Sequence, residues 1–204
     1  MQDPPQNTPH DPLHVSSIDS QKITDACAAR PSADRCMRGF EWREWVITGG
    51  GLGLLKPAPG SWGTCGPALI FWLLLGSGIP DPQRSAICGA GVLLAAILTV
   101  RLSPWAIGYF GDDDPGSVVL DEYAGYWLAT VALPLPAGVV GNWWHAWLMT
   151  AAVYVLFRLT DTLKLPPCRQ LERLPAGWGI LMDDLAAGVQ VNVILQILLR
   201  VWHP

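Results

Sequence analysis

Charge is what this chain has least of. Lysine, arginine, aspartate and glutamate make up 15% of its 204 residues, against about 25% in an ordinary soluble domain. The charges that remain sum to −4 at pH 7. Nucleic-acid binding calls for a basic patch, so that balance argues against a nucleic-acid partner. Thiol and zinc chemistry lack their signatures too. Cys27, Cys36, Cys65, Cys88 and Cys168 are odd in number and form no C-x-x-C pair. They read as scattered, reduced, structural residues. His10 and His14 lie near the N-terminus, while His145 and His203 stand alone. A lone histidine in such a setting is more often a packing or interfacial residue than a ligand. Neither a Walker A loop nor a G-x-G-x-x-G fingerprint is present. Residues 1–40 contain no apolar run of even seven residues, so they do not read as a signal peptide. With Pro4, Pro5, Pro9, Pro12 and mixed charges, they read as a disordered polar tail. A short helix is expected near 40–46, and a membrane domain over 41–204.

What the chain has in abundance is apolar surface. Half of its residues are hydrophobic and eleven are tryptophan, a residue that favours membrane interfaces. Five apolar segments follow the tail, at about 66–79, 86–102, 118–135, 143–163 and 184–202. A membrane-spanning helix needs about 20 apolar residues, with a range near 17–25. Segments two, four and five meet that. Segments one and three are marginal: segment three ends at Pro134 and Pro136, and segment one is short enough to be shallow or re-entrant. The expected fold is all-α, a compact multi-helix integral membrane domain of about 4–5 membrane helices, with active-site loops and helix ends on one face.

If all five segments cross and the N-terminus is cytoplasmic, the inner side holds Arg35, Arg38, Arg43, Lys56, Arg101, Lys164, Arg169 and Arg173. The outer side then holds Arg84 and Arg200. This asymmetry obeys the positive-inside rule. The same arrangement brings Asp112, Asp113, Asp114, Asp121, Glu122, Asp161, Asp183 and Asp184 to the inner face. Acids at the edge of a hydrocarbon layer are costly unless something offsets them. Asp121-Glu122 lies in the first turn of segment three, and Asp183-Asp184 opens segment five after Gly177-Trp178-Gly179. Each pair also reads as a helix cap with a first-turn acid. Asp161, near a helix C-terminus, sits where the helix dipole disfavours negative charge. Arg158 and Lys164, each three residues away, are its candidate ion-pair partners. Carboxylates from three helix ends suit Mg²⁺, which takes oxygen ligands and commonly shares them with a substrate phosphate. The Gly-rich stretch 49–64 reads either as a loop whose backbone N–H groups converge on an anion or as a flexible linker.

Four ordered segments resemble one family. Lys56-Pro57-Ala58-Pro59-Gly60-Ser61-Trp62-Gly63-Thr64 is similar to the L-x-P-x-A-P-G-T-x-G-[ST] segment of phosphatidylglycerophosphatase A. Leu120-Asp121-Glu122-Tyr123-Ala124-Gly125-Tyr126-Trp127 resembles its D-E-x-x-G-x-W. The segment from Phe157 to Lys164 resembles F-R-x-x-D-x-x-K. The segment from Gly177 to Gly188 resembles G-x-G-I-M-x-D-D-x-x-A-G. The resemblance covers roughly 47–202. It implies Mg²⁺-dependent hydrolysis of the terminal phosphomonoester of phosphatidylglycerophosphate, a phospholipid held in the membrane, to phosphatidylglycerol. It also implies a multi-pass protein of the bacterial inner membrane whose active site faces the cytoplasm. On that reading Asp121, Glu122, Asp161, Asp183 and Asp184 bind Mg²⁺ or orient water. Lys56, Arg158 and Lys164 hold the phosphate, and Gly60, Ser61, Gly63 and Thr64 supply donors to it. The oligomeric state stays open. The competing classes are a small polytopic transporter or channel, a non-catalytic lipid-binding scaffold, and a related phosphatase acting on another phosphomonoester. A transporter would spread its acids across the depth of the bilayer.

Overall fold

The computed structural model describes residues 41–112, 115–136, 138–163 and 177–202. The expected tail over 1–40 lies outside them. Within the described residues the chain is helical, without strands. A short helix α1 (Trp42–Ile47) leads through a 3-10 turn (Leu52–Leu54) to α2 (Pro59–Gly76), α3 (Asp81–Phe110), α4 (Leu120–Thr130), α5 (Trp143–Leu163) and α6 (Gly177–Trp202). Segment four matches α5 at both ends. Helices α2, α3 and α6 begin before their apolar runs, and α3 also ends beyond its own, because helical hydrogen bonding continues through the polar turns that the apolar pattern leaves out. Thus α2 begins at Pro59, whose fixed φ and missing N–H suit a first helical turn. The stretch Gly60–Thr64, expected as a loop, is the start of that helix. Likewise α6 begins at Gly177, so Asp183 and Asp184 lie in its second turn and neither caps it.

Helix α4 sits at the centre and packs on α2, α3, α5 and α6. Its eleven residues extend about 16 Å at 1.5 Å per residue, roughly half of a 30 Å hydrocarbon layer. Segment three was expected to be helical to 135; the helix stops at Thr130. Val131 is extended, and Ala132 takes a positive φ of 53°. The broken end is covered by α6. The Asn192 amide nitrogen lies 3.3, 3.1 and 2.8 Å from the carbonyl oxygens of Leu128, Ala129 and Val131. Gln196 donates to the Ala132 carbonyl at 3.2 Å. Non-helical backbone deep in such a bundle is tolerated where protein satisfies its polar groups. The chain then runs to the far end of α2, where the Gly141 N–H donates to the Leu75 carbonyl at 2.8 Å.

The main core lies between α2, α4, α5 and α6. Tyr126 is fully buried and meets Phe71 and Phe157 edge to face, at centroid distances of 6.4 and 6.1 Å. This is the preferred aromatic geometry, and the Tyr126 hydroxyl donates to the Thr150 carbonyl at 3.2 Å. The outward surface is apolar as well. Leu93, Leu94 and Ile97 on α3 and Val193, Ile197 and Leu198 on α6 are more than half exposed. Among the described residues, α3 and the Trp178–Val201 part of α6 are long and apolar enough to cross a membrane, and most of each such stretch is not buried in the protein. Continuous outward apolar faces of this kind mark contact with a membrane or another protein.

Candidate active site

Close approach of α4 and α6 builds the site. Gly125 follows Asp121 by one helical turn, and Gly188 follows Asp184 by the same spacing. A Cβ on Gly125 would lie 2.6 Å from the Asp184 carbonyl oxygen, and one on Gly188 would collide with the Gly125 carbonyl. Two bare backbones therefore touch, as small residues allow at helix crossings. The acids one turn before them are drawn to a common place.

Asp184 is 5% exposed. It lies within electrostatic range of Asp121, Glu122, Asp161 and Asp183. Helices α4, α5 and α6 thus bring these five acids near one another. The first turn of α2 joins them. The Thr64 hydroxyl donates to Glu122 Oε2 at 2.6 Å, and its own Oγ1 is 3.5 Å from Arg158 Nη1. Arg158 Nη1 is 3.4 Å from Glu122 Oε1 and 3.0 Å from Asp161 Oδ2. The expected Arg158–Asp161 ion pair is present, and Arg158 extends it to Glu122. A Cβ on Gly60 would collide with Glu122 Oε1, and one on Gly63 would stand 3.0 Å from Glu122 Oε2. The glycines serve the site by letting α2 lie against Glu122. The N–H groups of Gly60 and Ser61 fall in the first turn of an eighteen-residue helix, where backbone donors lack intrahelical acceptors and favour an anion.

Lys56 is exposed in the stretch before α2 and makes no hydrogen bond or ion pair with a described residue. Lys164 lies outside the described residues. Sequence reasoning missed the roles of Gly125, Gly188 and Asn192. The signal for the glycines was the shared acid-to-glycine spacing of four. Asn192 had none, because its partners are carbonyls more than sixty residues away.

As the side chains are placed, no three His, Cys, Asp or Glu among the described residues enclose a metal position. The donor chemistry nonetheless fits Mg²⁺. That ion prefers hard oxygen ligands, keeps several waters, and usually takes one or two carboxylates with a substrate phosphate rather than a full protein cage.

Residues 45–199 match the model of the phosphatidylglycerophosphatase A family. The chain is similar to phosphatidylglycerophosphatase A of Escherichia coli K12, at 33% identity over 77% of this chain and 83% of that protein. It is 29% identical to phosphatidylglycerophosphatase A of Haemophilus influenzae, over 74% of this chain and 84% of that protein. A Bacteroides thetaiotaomicron protein, named as a candidate phosphatidylinositol-3-phosphatase, is 31% identical over 74% of this chain and 90% of its own. No solved structure matches the chain. The class is that of the phosphoric monoester hydrolases. Within it, the chain belongs to the phosphatidylglycerophosphatase A family.

Proposed function

We propose that the chain removes the terminal phosphate of phosphatidylglycerophosphate in a membrane, releasing phosphatidylglycerol and inorganic phosphate. The observation that carries this is the meeting of all four matched segments at one end of the bundle. Thr64, Glu122, Arg158 and Asp161 form one bonded network, and Asp184 shares an electrostatic environment with the other acids. A phosphomonoester dianion is bound by the Arg158 guanidinium and by the N–H groups of Gly60 and Ser61 at the start of α2. Lys56 and Lys164 are the further cations assigned to it.

Glu122 is engaged at both oxygens, Oε1 by Arg158 and Oε2 by Thr64. Its role is to fix those two donors, which helps hold the phosphate in line for attack. Asp121, Asp161, Asp183 and Asp184 would hold Mg²⁺, with Glu122 alongside. When bound, that ion offsets charge on the phosphoryl oxygens. A carboxylate of this set takes the proton of the attacking water, the P–O bond to the lipid glycerol breaks, and the released oxygen takes a proton. The buried pair Asp121 and Asp184, 7% and 5% exposed, lies where bulk water is largely excluded. Such exclusion strengthens every charge interaction.

The membrane arrangement we propose has four long helices, α2, α3, α5 and α6, crossing an inner membrane. The interrupted segment built on α4 crosses among them, and the acid end faces the cytoplasm. The acids gather at one end rather than along a path, which favours catalysis over transport. The Bacteroides relative favours a second reading, in which the same site acts on another lipid phosphomonoester. Phosphate release by the purified protein from phosphatidylglycerophosphate and from phosphatidylinositol 3-phosphate, with Mg²⁺ and with EDTA, decides between them. The expected result is release from the first substrate alone, abolished by EDTA and restored by Mg²⁺. Full turnover in excess chelator would overturn the metal assignment.

A further inference from the structure

Outside the acid cluster, the described residues form a groove of about 430 Å³ between α2 and α5. Cys65, Leu69 and Trp72 line one wall, and Trp147, Ala151 and Tyr154 line the other. The walls are almost wholly apolar and the groove is open along its outer side. From Trp72 to Cys65, and from Trp147 to Tyr154, each wall spans seven residue steps, or about 10 Å along a helix. Leu69 and Trp147 are half exposed on its rims.

The groove's position relative to the polar site decides what fills it. Tyr154 closes one end, where its hydroxyl donates to the Ser61 carbonyl at 3.0 Å. One turn beyond Tyr154 on α5 stands Arg158, and Ser61 directly follows Gly60, whose Cα faces Glu122 and Arg158. The two helices that hold the proposed phosphate site are thus the same two that form the apolar groove, and the groove runs away from that site. Thr150 lies in its floor. This side chain is 8% exposed, and its Oγ1 has no hydrogen-bond partner.

We propose that the groove is the acyl-chain subsite of the enzyme, holding one fatty acyl chain of the phospholipid whose headgroup is at Arg158. The proposal rests on the phospholipid-phosphatase reading above. Hydrocarbon tails are as apolar as the groove walls, so seating a chain there adds little net burial energy over the bilayer. What the groove contributes is orientation. A chain laid between α2 and α5 brings its own headgroup to the end at which Gly60, Ser61 and Arg158 wait, which reduces the positional freedom lost on binding.

The test compares substrates of different chain length on variants that block the groove. Ala151→Phe narrows it from the α5 wall, and Leu69→Trp from the exposed rim of α2. Neither position belongs to the phosphate site. In mixed micelles, both variants should raise KM for a long-chain diacyl substrate on the order of tenfold with little change in kcat, as expected when uniform binding is lost. Both should leave turnover of the dihexanoyl analogue unaltered. Equal effects on the two chain lengths, or no effect on either, would overturn the proposal. A second readout needs no turnover. With the other four cysteines replaced, Cys65, which is exposed on the groove wall, should be alkylated more slowly when long-chain phosphatidylglycerol is present than with detergent alone. Protection that follows protein concentration instead of lipid would mark the groove as an interface between copies and refute the acyl-chain assignment. Failure of wild-type turnover together with lipid protection of Cys65 would count against the substrate and leave the groove standing.

Discussion

The carbonyl of Gly125 occupies the space that a side chain on Gly188 would need. At this contact the backbones of α4 and α6 approach closely, and Asp121 and Asp184 each precede it by one turn. Spacing between two glycines therefore sets spacing between two acids.

Gly188→Ala should cost stability and turnover together. Forcing one methyl into this contact has an overpacking cost of about 1–3 kcal/mol and parts the acids. Gly89, in α3, has nothing within 4 Å of its Cβ position. Gly89→Ala should be neutral or stabilising by up to about 1 kcal/mol, the ordinary helix gain over glycine. Thermal unfolding and turnover of the two variants check this. A Gly188→Ala protein with normal melting and normal turnover would refute the close-approach account.

Asp161→Asn separates metal or water chemistry from ion pairing. Its pair with Arg158 is partly exposed, and such pairs contribute about 0–1 kcal/mol, so melting should move little. Arg158 also keeps Glu122 as a partner. Turnover should fall by on the order of a hundredfold or more, because the lost charge acts in the transition state. Asp112→Asn, at an exposed position just after α3, should keep near-normal turnover. Measured side by side, near-normal turnover in both variants would remove Asp161 from the site.

Asn192→Leu keeps the approximate size but leaves the carbonyls of Leu128, Ala129 and Val131 without their donor. Leaving a buried acceptor unsatisfied costs about 1–3 kcal/mol. The melting temperature should drop, with increased hydrogen exchange at the end of α4. Asn192→Gln should restore part of the loss. Equal melting of Asn192→Leu and wild type would show that the carbonyls find other partners.

Topology is testable with single cysteines in a background lacking the native five. Positions 111 and 141 bracket the interrupted segment at its two ends, and both are exposed turns with positive φ. An impermeant thiol reagent applied to sealed vesicles should label them from opposite sides. Labelling of both from one side would mean that the segment built on α4 does not cross.

The sequence by itself determined the class of fold. Low charge, eleven tryptophans and apolar runs near 20 residues specify outward-facing helices, because apolar surface on that scale needs hydrocarbon or another helix against it. It also located α5 at both ends, and the alternation of segments led to the expectation that Asp121, Glu122, Asp161, Asp183 and Asp184 share one face; the structure brings Asp184 within electrostatic range of the other four. Asp161 near its helix C-terminus was legible as an ion-pair partner of Arg158, since both lie on one helix face three residues apart. What the sequence did not contain was the length of a helix through polar turns or the meeting of helices distant along the chain. Gly60–Thr64 looks like a loop by composition, yet it winds as the first turns of α2 behind Pro59, where Thr64 bonds Glu122, fifty-eight residues away. Segment three looks like one apolar run to 135, yet its helix stops at Thr130, and Asn192 and Gln196 supply donors to the carbonyls at the break. Local pattern decides which residues turn away from water. Only the packing of α6 on α4 decides which of those turns touch, because contact depends on the absence of two side chains at Gly125 and Gly188.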